Sequence, residues 1–107
     1  MTERSKDIRA NIRPHPCKDD ALLCKFVWTT QEGILIRVVL AFTRKSVVSF
    51  VERIKIGQEA RCQDSLGHTK LIYRDSMLIL RYGQSKVVLP AALARVAVEQ
   101  LVKSNCT

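Results

Sequence analysis

Basic residues recur on one face of the sheet that is predicted between residues 70 and 89. Three apolar-rich strands are joined there by two short turns, and the resulting register places four cations on that face without an acid. These residues are Lys70, Arg74, Arg81 and Lys86. Cations arranged in this way can neutralise the phosphates of a nucleic acid, which gives salt-dependent binding that does not read base sequence.

The two turns determine which residues lie opposite each other. Asp75 and Ser76 form the first turn, and the second, Gly83 and Gln84, has glycine in the first position, as a type II′ turn requires. The predicted pairs are Arg74 with Met77, Tyr82 with Ser85, and Arg81 with Lys86. Like charges that lie opposite each other destabilise a sheet by a fraction of a kcal/mol, roughly 0.2–1 kcal/mol. An anion between them would replace this repulsion with attraction.

The overall charge agrees with a polyanionic partner. The chain carries 18 Lys and Arg against 10 Asp and Glu, a formal net charge of +8. This excess favours a nucleic acid or an acidic protein surface as the partner. Three more basic residues are candidates for the same contact, because they lie in an earlier predicted strand or open the helix after it: Arg37, Arg44 and Lys45.

Apolar side chains share this face and leave other interpretations open. They are Ile72, Met77, Ile79 and Val88. A second subunit could cover them, or an exposed edge strand could pair with another chain. The protein would then be a homodimer or an interaction module for an acidic protein. In the third interpretation the face is ordinary solvent-exposed surface, with Lys and Arg stems covering the apolar residues.

Residues for catalysis, metal binding or base stacking do not accompany the basic face. The histidines and cysteines lack the short paired spacings of structural zinc sites. The chain has no Ser/His/Asp motif, glycine-rich phosphate loop or paired carboxylates. The aromatic residues considered as platforms for base stacking are all predicted on the core side of strands: Phe26, Trp28, Tyr73 and Tyr82. We therefore expect a non-enzymatic protein without a metal or cofactor.

The first half of the chain is predicted as a hairpin followed by a helix. Strands over residues 22–30 and 34–42 flank a three-residue loop whose last residue, Gly33, takes the left-handed conformation. Thr43 is the predicted N-cap of a helix over residues 44–55 with an apolar stripe of helical period. Two adjacent valines leave a strand as the alternative in this segment.

The second half adds the three-strand meander and a final helix. Residues 58–69 are predicted as a loop, or as a short edge strand around Arg61 and Cys62. The final helix covers residues 90–103 and has Pro90 in its first turn.

The predicted fold is a single α+β domain. An antiparallel sheet of about five strands carries two helices on one face, in the order β-β-α-β-β-β-α. The domain covers residues 21–107, and residues 1–20, which contain Pro14-His15-Pro16, are predicted as a flexible or loosely docked N-terminal arm. A length of 107 residues with 47% hydrophobic content suits one globular core.

The sequence also predicts an intracellular protein without membrane contact. Its first seven residues, Met-Thr-Glu-Arg-Ser-Lys-Asp, are too charged for a secretory signal peptide. The four cysteines show no Cys-x-x-Cys pair and are interpreted as reduced thiols. The longest apolar segment, residues 34–42, contains Arg37 and is too short to span a bilayer.

Overall fold

A computed structural model of the chain describes residues 8–104 and confirms the α+β class. Over these residues the chain forms β1 (Arg9–Pro14), β2 (Ala21–Thr29), β3 (Leu35–Thr43), α1 (Arg44–Lys55), β4 (Ala60–Gln63), β5 (Thr69–Arg74), β6 (Met77–Tyr82), β7 (Ser85–Leu89) and α2 (Ala91–Lys103). The charged N-terminal segment and residues 105–107 lie outside this description.

The strands form two antiparallel sheets instead of the single sheet that the sequence predicts. Sheet A has the order β1-β2-β3, and sheet B has the order β4-β5-β6-β7. The number of strands is higher than predicted because residues 9–14, within the predicted arm, form β1 and residues 60–63 form β4. The division into two sheets arises at α1, which contacts both β3 and β4 and so carries the chain from one sheet to the other.

The turns have the predicted geometry and set the predicted registers. In the β2–β3 loop, the Thr30 N–H donates to the Ile34 carbonyl at 2.9 Å, and Gly33 has φ +87°. Gly83 opens the β6–β7 turn with φ +60°. The predicted pairs are all present: Arg74 with Met77, Tyr82 with Ser85, and Arg81 with Lys86.

Both helices form where the sequence predicts them. The Thr43 hydroxyl accepts a hydrogen bond from the Ser46 N–H at 3.2 Å and caps α1, which covers the predicted residues. Pro90 is the N-cap of α2 rather than its first residue. The buried stripe of α1 consists of Val47, Phe50, Val51 and Ile54.

One hydrophobic core lies between the sheets and the helices. Alternate residues of each strand face it, together with the buried sides of α1 and α2. The helices contact strands of both sheets, so they do not cover one face of a single sheet as predicted. The opposite side of each sheet, here called its outer face, is therefore left to solvent. The radius of gyration is 13.1 Å, which is close to the value of about 13 Å typical of a compact domain of this length.

Side chains of α2 cover the backbone edge of β1. The Gln100 Oε1 atom accepts from the Ala10 N–H at 2.6 Å, and its Nε2 donates to the Ile8 carbonyl at 3.0 Å. The Ser104 Oγ atom accepts from the Ile12 N–H at 3.2 Å. Backbone groups that an edge strand would otherwise leave unpaired are thus satisfied from within the chain.

Candidate nucleic-acid interface

Every charged residue in the strands of the described chain is basic. The nine residues are Arg9, Arg13, Lys25, Arg37, Arg61, Lys70, Arg74, Arg81 and Lys86. The eight acidic residues of the same range lie in helices, turns and loops. All nine cations lie on the outer faces, because the alternate positions of their strands face the core. The two sheets therefore present two outer surfaces on which each charged strand residue is positive.

Three of the predicted site residues form one row across sheet B. Lys70 pairs with Arg81, and Arg81 pairs with Lys86, so the three side chains lie next to each other on β5, β6 and β7. We call them the cationic row. Neighbouring strands are about 4.8 Å apart, which brings three positive charges within roughly 10 Å across the sheet. Gln63 of β4 pairs with Lys70 and ends this row with a neutral side chain.

Arg74 lies on the same face but apart from the cationic row. It is four residues from Lys70 along β5, a distance of roughly 13 Å, and it pairs with Met77. Between them lies an apolar row that consists of Ile72, Ile79 and Val88, with Arg61 at its β4 end. The outer face thus alternates a basic row with an apolar row.

The cations of this face have no acidic partner in the described chain. None of Lys70, Arg81 and Lys86 forms an ion pair with a carboxylate of residues 8–104. Arg81 and Lys86 are exposed, and Lys70 is half-buried. Exposed like charges that are not neutralised internally attract an anion from solution.

Arg37 approaches sheet B from β3. The edge of β3 lies along the end of sheet B at which β6 ends and β7 begins. A groove of about 370 Å³ separates them, bordered by residues 37–39, by residues 80–82 and by Ser85 and Val87. We call it the β3–β6 groove. It connects Arg37 of sheet A to Arg81 of the cationic row, so the basic residues of the two sheets meet at this boundary.

Tyr82 is the one large aromatic side chain that the structure places differently from the sequence prediction. The alternation of side chains along β6 assigns Tyr82 to the core face. Its side chain is nevertheless 67% exposed and borders the β3–β6 groove. The reason is its position at the last residue of β6, beyond the part of the strand that the core covers. Phe26 and Trp28 are buried as predicted. The prediction that Tyr82 faces the core is therefore wrong.

Arg44 and Lys45 do not join the cationic row. They form the start of α1, directly after the end of β3 that is farther from Arg37. Six residues of extended strand lie between Arg37 and Arg44, which places the two residues roughly 23 Å apart. They remain basic residues at the border of sheet A, with Lys45 exposed and Arg44 half-buried.

Sequence reasoning did not assign Arg9 and Arg13 to the site. Both lie on the outer face of sheet A, where Arg9 pairs with Val27 and Arg13 pairs with Leu23. Lys25 lies on the same face between them, opposite Asn11. The signal was the alternation of Ile8, Ala10 and Ile12 with polar residues, which marks a strand rather than an arm.

A metal-binding cluster and a reactive thiol are two other kinds of site that the described residues could form. No group of three His, Cys, Asp or Glu residues within residues 8–104 could hold a metal ion. Burial raises the pKa of the Cys24 thiol to about 12, and burial together with the neighbouring Cys24 raises the pKa of Cys62 to about 12. Both thiols are therefore protonated and unreactive at neutral pH. Within the same residues neither helix combines the length and the apolar character needed to cross a membrane.

Compared with known proteins, the chain is matched by no protein-family model, no curated protein and no solved structure.

Proposed function

We propose that this protein is a non-enzymatic nucleic-acid-binding or regulatory factor, which contacts phosphates through the basic outer faces of its sheets. The cationic row, with Arg37 across the β3–β6 groove, forms the centre of the contact. Arg74 extends the contact on sheet B, and Arg44 and Lys45 extend it at the end of β3. Binding of this kind is electrostatic and sequence-independent, with dissociation constants of about 10⁻⁴–10⁻⁶ M at physiological salt.

The observation that carries this proposal is the uniform sign of the strand charges. A surface that serves only solubility intersperses both signs. Here the acidic residues of the described chain are confined to helices, turns and loops, and the strands carry cations alone. This segregation supports a polyanion as the partner.

The burial of Ile79, at the centre of the apolar row, favours a nucleic acid over a covering protein at this point of the face. Ile79 is only 9% exposed although it lies on the outer face of sheet B, and Ile72 is half-buried. Arg81 lies two residues from Ile79 on the same face of β6. The stem of such a basic side chain can cover apolar surface while its charge stays in water. Little apolar area is therefore left at Ile72 and Ile79 for a second subunit to bury, and Val88, at 43% exposure, is the exposed residue of the row.

Charge reversal in the cationic row tests the proposal. We expect the variant Arg81→Glu/Lys86→Glu to bind a single-stranded oligothymidylate at least roughly tenfold more weakly than the unmodified protein, because two phosphate contacts become repulsive. The slope of log Kd against log salt should fall by about 1.4, or about 0.7 for each lost contact with a single strand. Fluorescence anisotropy over a salt series measures both quantities.

A matched control distinguishes a loss of affinity caused by the cationic row from one caused by the lower net charge. Lys18→Glu/Lys55→Glu changes the charge by the same amount at two exposed residues outside the strands. The proposal requires this control to retain most of the affinity. An equal loss in both variants, or no loss in either, would contradict it.

A second candidate function is a protein-interaction module that acts through the edge of β3. Because the Thr30 N–H bonds to the Ile34 carbonyl, even-numbered residues of β3 bond to β2, and the odd-numbered ones direct their backbone groups away from it. Two apolar residues on this strand are also exposed, Leu35 at 60% and Val39 at 45%. A homodimer or an acidic protein partner could use this edge.

Size-exclusion chromatography with light scattering distinguishes the two functions. A monomer that shifts in mass only with a mixed nucleic-acid pool supports nucleic-acid binding. A dimer that forms without nucleic acid and ignores the pool supports the interaction module. We place either function inside the cell, where free thiols such as the exposed Cys17 persist.

A further inference from the structure

The β3–β6 groove combines surfaces of different chemistry in one place. Its walls include the half-buried Val38 and Val87, the exposed ring of Tyr82 and the hydroxyl-bearing Ser85. Arg37 borders it on one side and Arg81 on the other. A volume of about 370 Å³ lies within the range of roughly 300–1,000 Å³ that small-molecule sites occupy.

Tyr82 is unusual because most of its side chain is exposed although its neighbours on the same side of β6 are buried. Leu78 and Leu80, on the same side of β6, are buried in the core, whereas Tyr82 is 67% exposed. An exposed aromatic ring beside cations is the arrangement with which proteins stack unpaired bases. Each base has a flat face, so such stacking tolerates any base sequence.

Backbone groups at the β3 edge add hydrogen-bonding capacity to the groove. Arg37 and Val39 are odd-numbered residues of β3, so their N–H and C=O groups point away from β2. Both residues border the groove. The edge of an unpaired base could bond to these groups or to the Ser85 hydroxyl.

We propose that the β3–β6 groove binds one unpaired base of a single-stranded nucleic acid, with the base stacked on Tyr82. The phosphates on either side of this base contact Arg37 and Arg81, the two cations that border the groove. The inference rests on the proposed function and specifies its ligand, because a base inside a duplex presents only its edges and cannot insert its face into a groove. Single strands should therefore bind more tightly than duplexes of the same length.

Ring removal at Tyr82 tests this ligand class. We expect Tyr82→Ala to weaken binding of a single-stranded oligothymidylate about fivefold to one hundredfold, the range of one base–aromatic stack. Binding of the matching oligothymidylate–oligoadenylate duplex should stay unchanged, and Tyr82→Phe should retain single-strand affinity because the ring remains. Leu66→Ala is the matched control, since Leu66 is 74% exposed and lies outside the groove.

The possible outcomes separate the inference from the proposed function. If Tyr82→Ala leaves single-strand binding unchanged, or weakens single-strand and duplex binding equally, the stacking site is overturned while nucleic-acid binding stands. If the unmodified protein binds neither probe, both fail. If a polyglutamate peptide binds as tightly as the oligothymidylate and competes with it irrespective of Tyr82, the groove is an acidic-peptide site and the inference is overturned. Photocrosslinking of a 5-bromouracil oligonucleotide to Tyr82, located by mass spectrometry, would support it directly.

Discussion

Asp75 and Ser76 hold left-handed backbone conformations in the turn between β5 and β6. Their φ angles are +53° and +65°, and neither residue is glycine. Two consecutive positive φ angles define the type I′ turn, whose twist matches that of the flanking strands. This turn sets the pairing of Arg74 with Met77, and with it the position of Lys70 opposite Arg81. Local strain at two residues thus supports the register of the cationic row.

Glycine at position 76 should relieve part of this strain. A non-glycine residue in the left-handed conformation costs about 1–2 kcal/mol, which glycine would relieve. Glycine also raises the conformational entropy of the unfolded chain, and this offsets about 0.4–1 kcal/mol of the gain in stability. We expect Ser76→Gly to raise the free energy of unfolding by about 0.5–1 kcal/mol, measured by urea denaturation.

The serine at the start of β7 provides the comparison for this variant. Ser85 is also exposed, but it lies in extended strand without a positive φ angle. Ser85→Gly should lower the free energy of unfolding, because glycine weakens a strand by roughly 0.5–1 kcal/mol. Stabilisation by both changes, or destabilisation by Ser76→Gly, would contradict the role of backbone strain.

At the scale of elements, α2 closes one edge of sheet A and leaves the other edge open. Gln100 bonds to both neighbours of Arg9, and Ser104 bonds to Ile12, so β1 is unavailable for pairing with another chain. No side chain of residues 8–104 hydrogen-bonds to the edge of β3 along residues 37–39, where the β3–β6 groove begins. Within the described residues the fold therefore leaves open the edge of sheet A that adjoins sheet B.

Loss of the Gln100 side-chain amide should destabilise this edge. Gln100→Leu removes the acceptor for the Ala10 N–H and the donor to the Ile8 carbonyl, both in part-buried surroundings. Groups left unsatisfied in this way cost about 1–3 kcal/mol. We expect the free energy of unfolding to fall by that amount and the Ala10 amide to exchange faster with solvent.

The neighbouring position on α2 controls for the change in hydrophobicity. Glu99 is exposed, so Glu99→Leu should leave the free energy of unfolding within about 0.5 kcal/mol of that of the unmodified protein. The exchange rate of the Ala10 amide should stay the same. Unchanged hydrogen exchange at Ala10 in Gln100→Leu would show that β1 does not depend on this contact.

The elements that local signals determine could be predicted from the sequence. Turns of two or three residues, such as the one that ends at Gly33, set the register of their strands without help from distant residues. α1 was predictable from Thr43 and its apolar stripe. The docking of β1 was not predictable, although its alternation marks a strand, because its outer edge is completed by Gln100, which lies 90 residues away along the chain from Ala10. Alternation identifies a strand, but it does not say which of two sheets the strand joins.

Some features of the candidate site could likewise be predicted from local signals in the sequence, and others could not. The cationic row was predictable because Lys70, Arg81 and Lys86 follow from two turns and a parity rule. The exposure of Tyr82 was not, because parity gives the face of a residue but not how far the core extends along the strand. The nearness of Arg37 to Arg81 depends on how two sheets pack, and no local pattern encodes that arrangement.

At the scale of the whole molecule, charge is sorted by secondary structure. The strands of the described chain carry cations only, on outer faces that turn away from both helices, while acidic residues lie elsewhere. A net charge of +8 is therefore not spread evenly over the surface. The molecule should bind polyanions with its sheets and leave the solvent sides of its helices free.

An NMR titration of isotope-labelled protein with single-stranded oligothymidylate shows which surface the polyanion contacts. We expect the largest amide shift changes at Lys70, Arg81 and Lys86, and little change at the exposed helix residues Lys55 and Lys103. Added salt should reverse these changes, because counterion release drives binding. Shift changes that are confined to the helices, or spectra that do not change at saturating oligonucleotide, would contradict polyanion binding through the sheets.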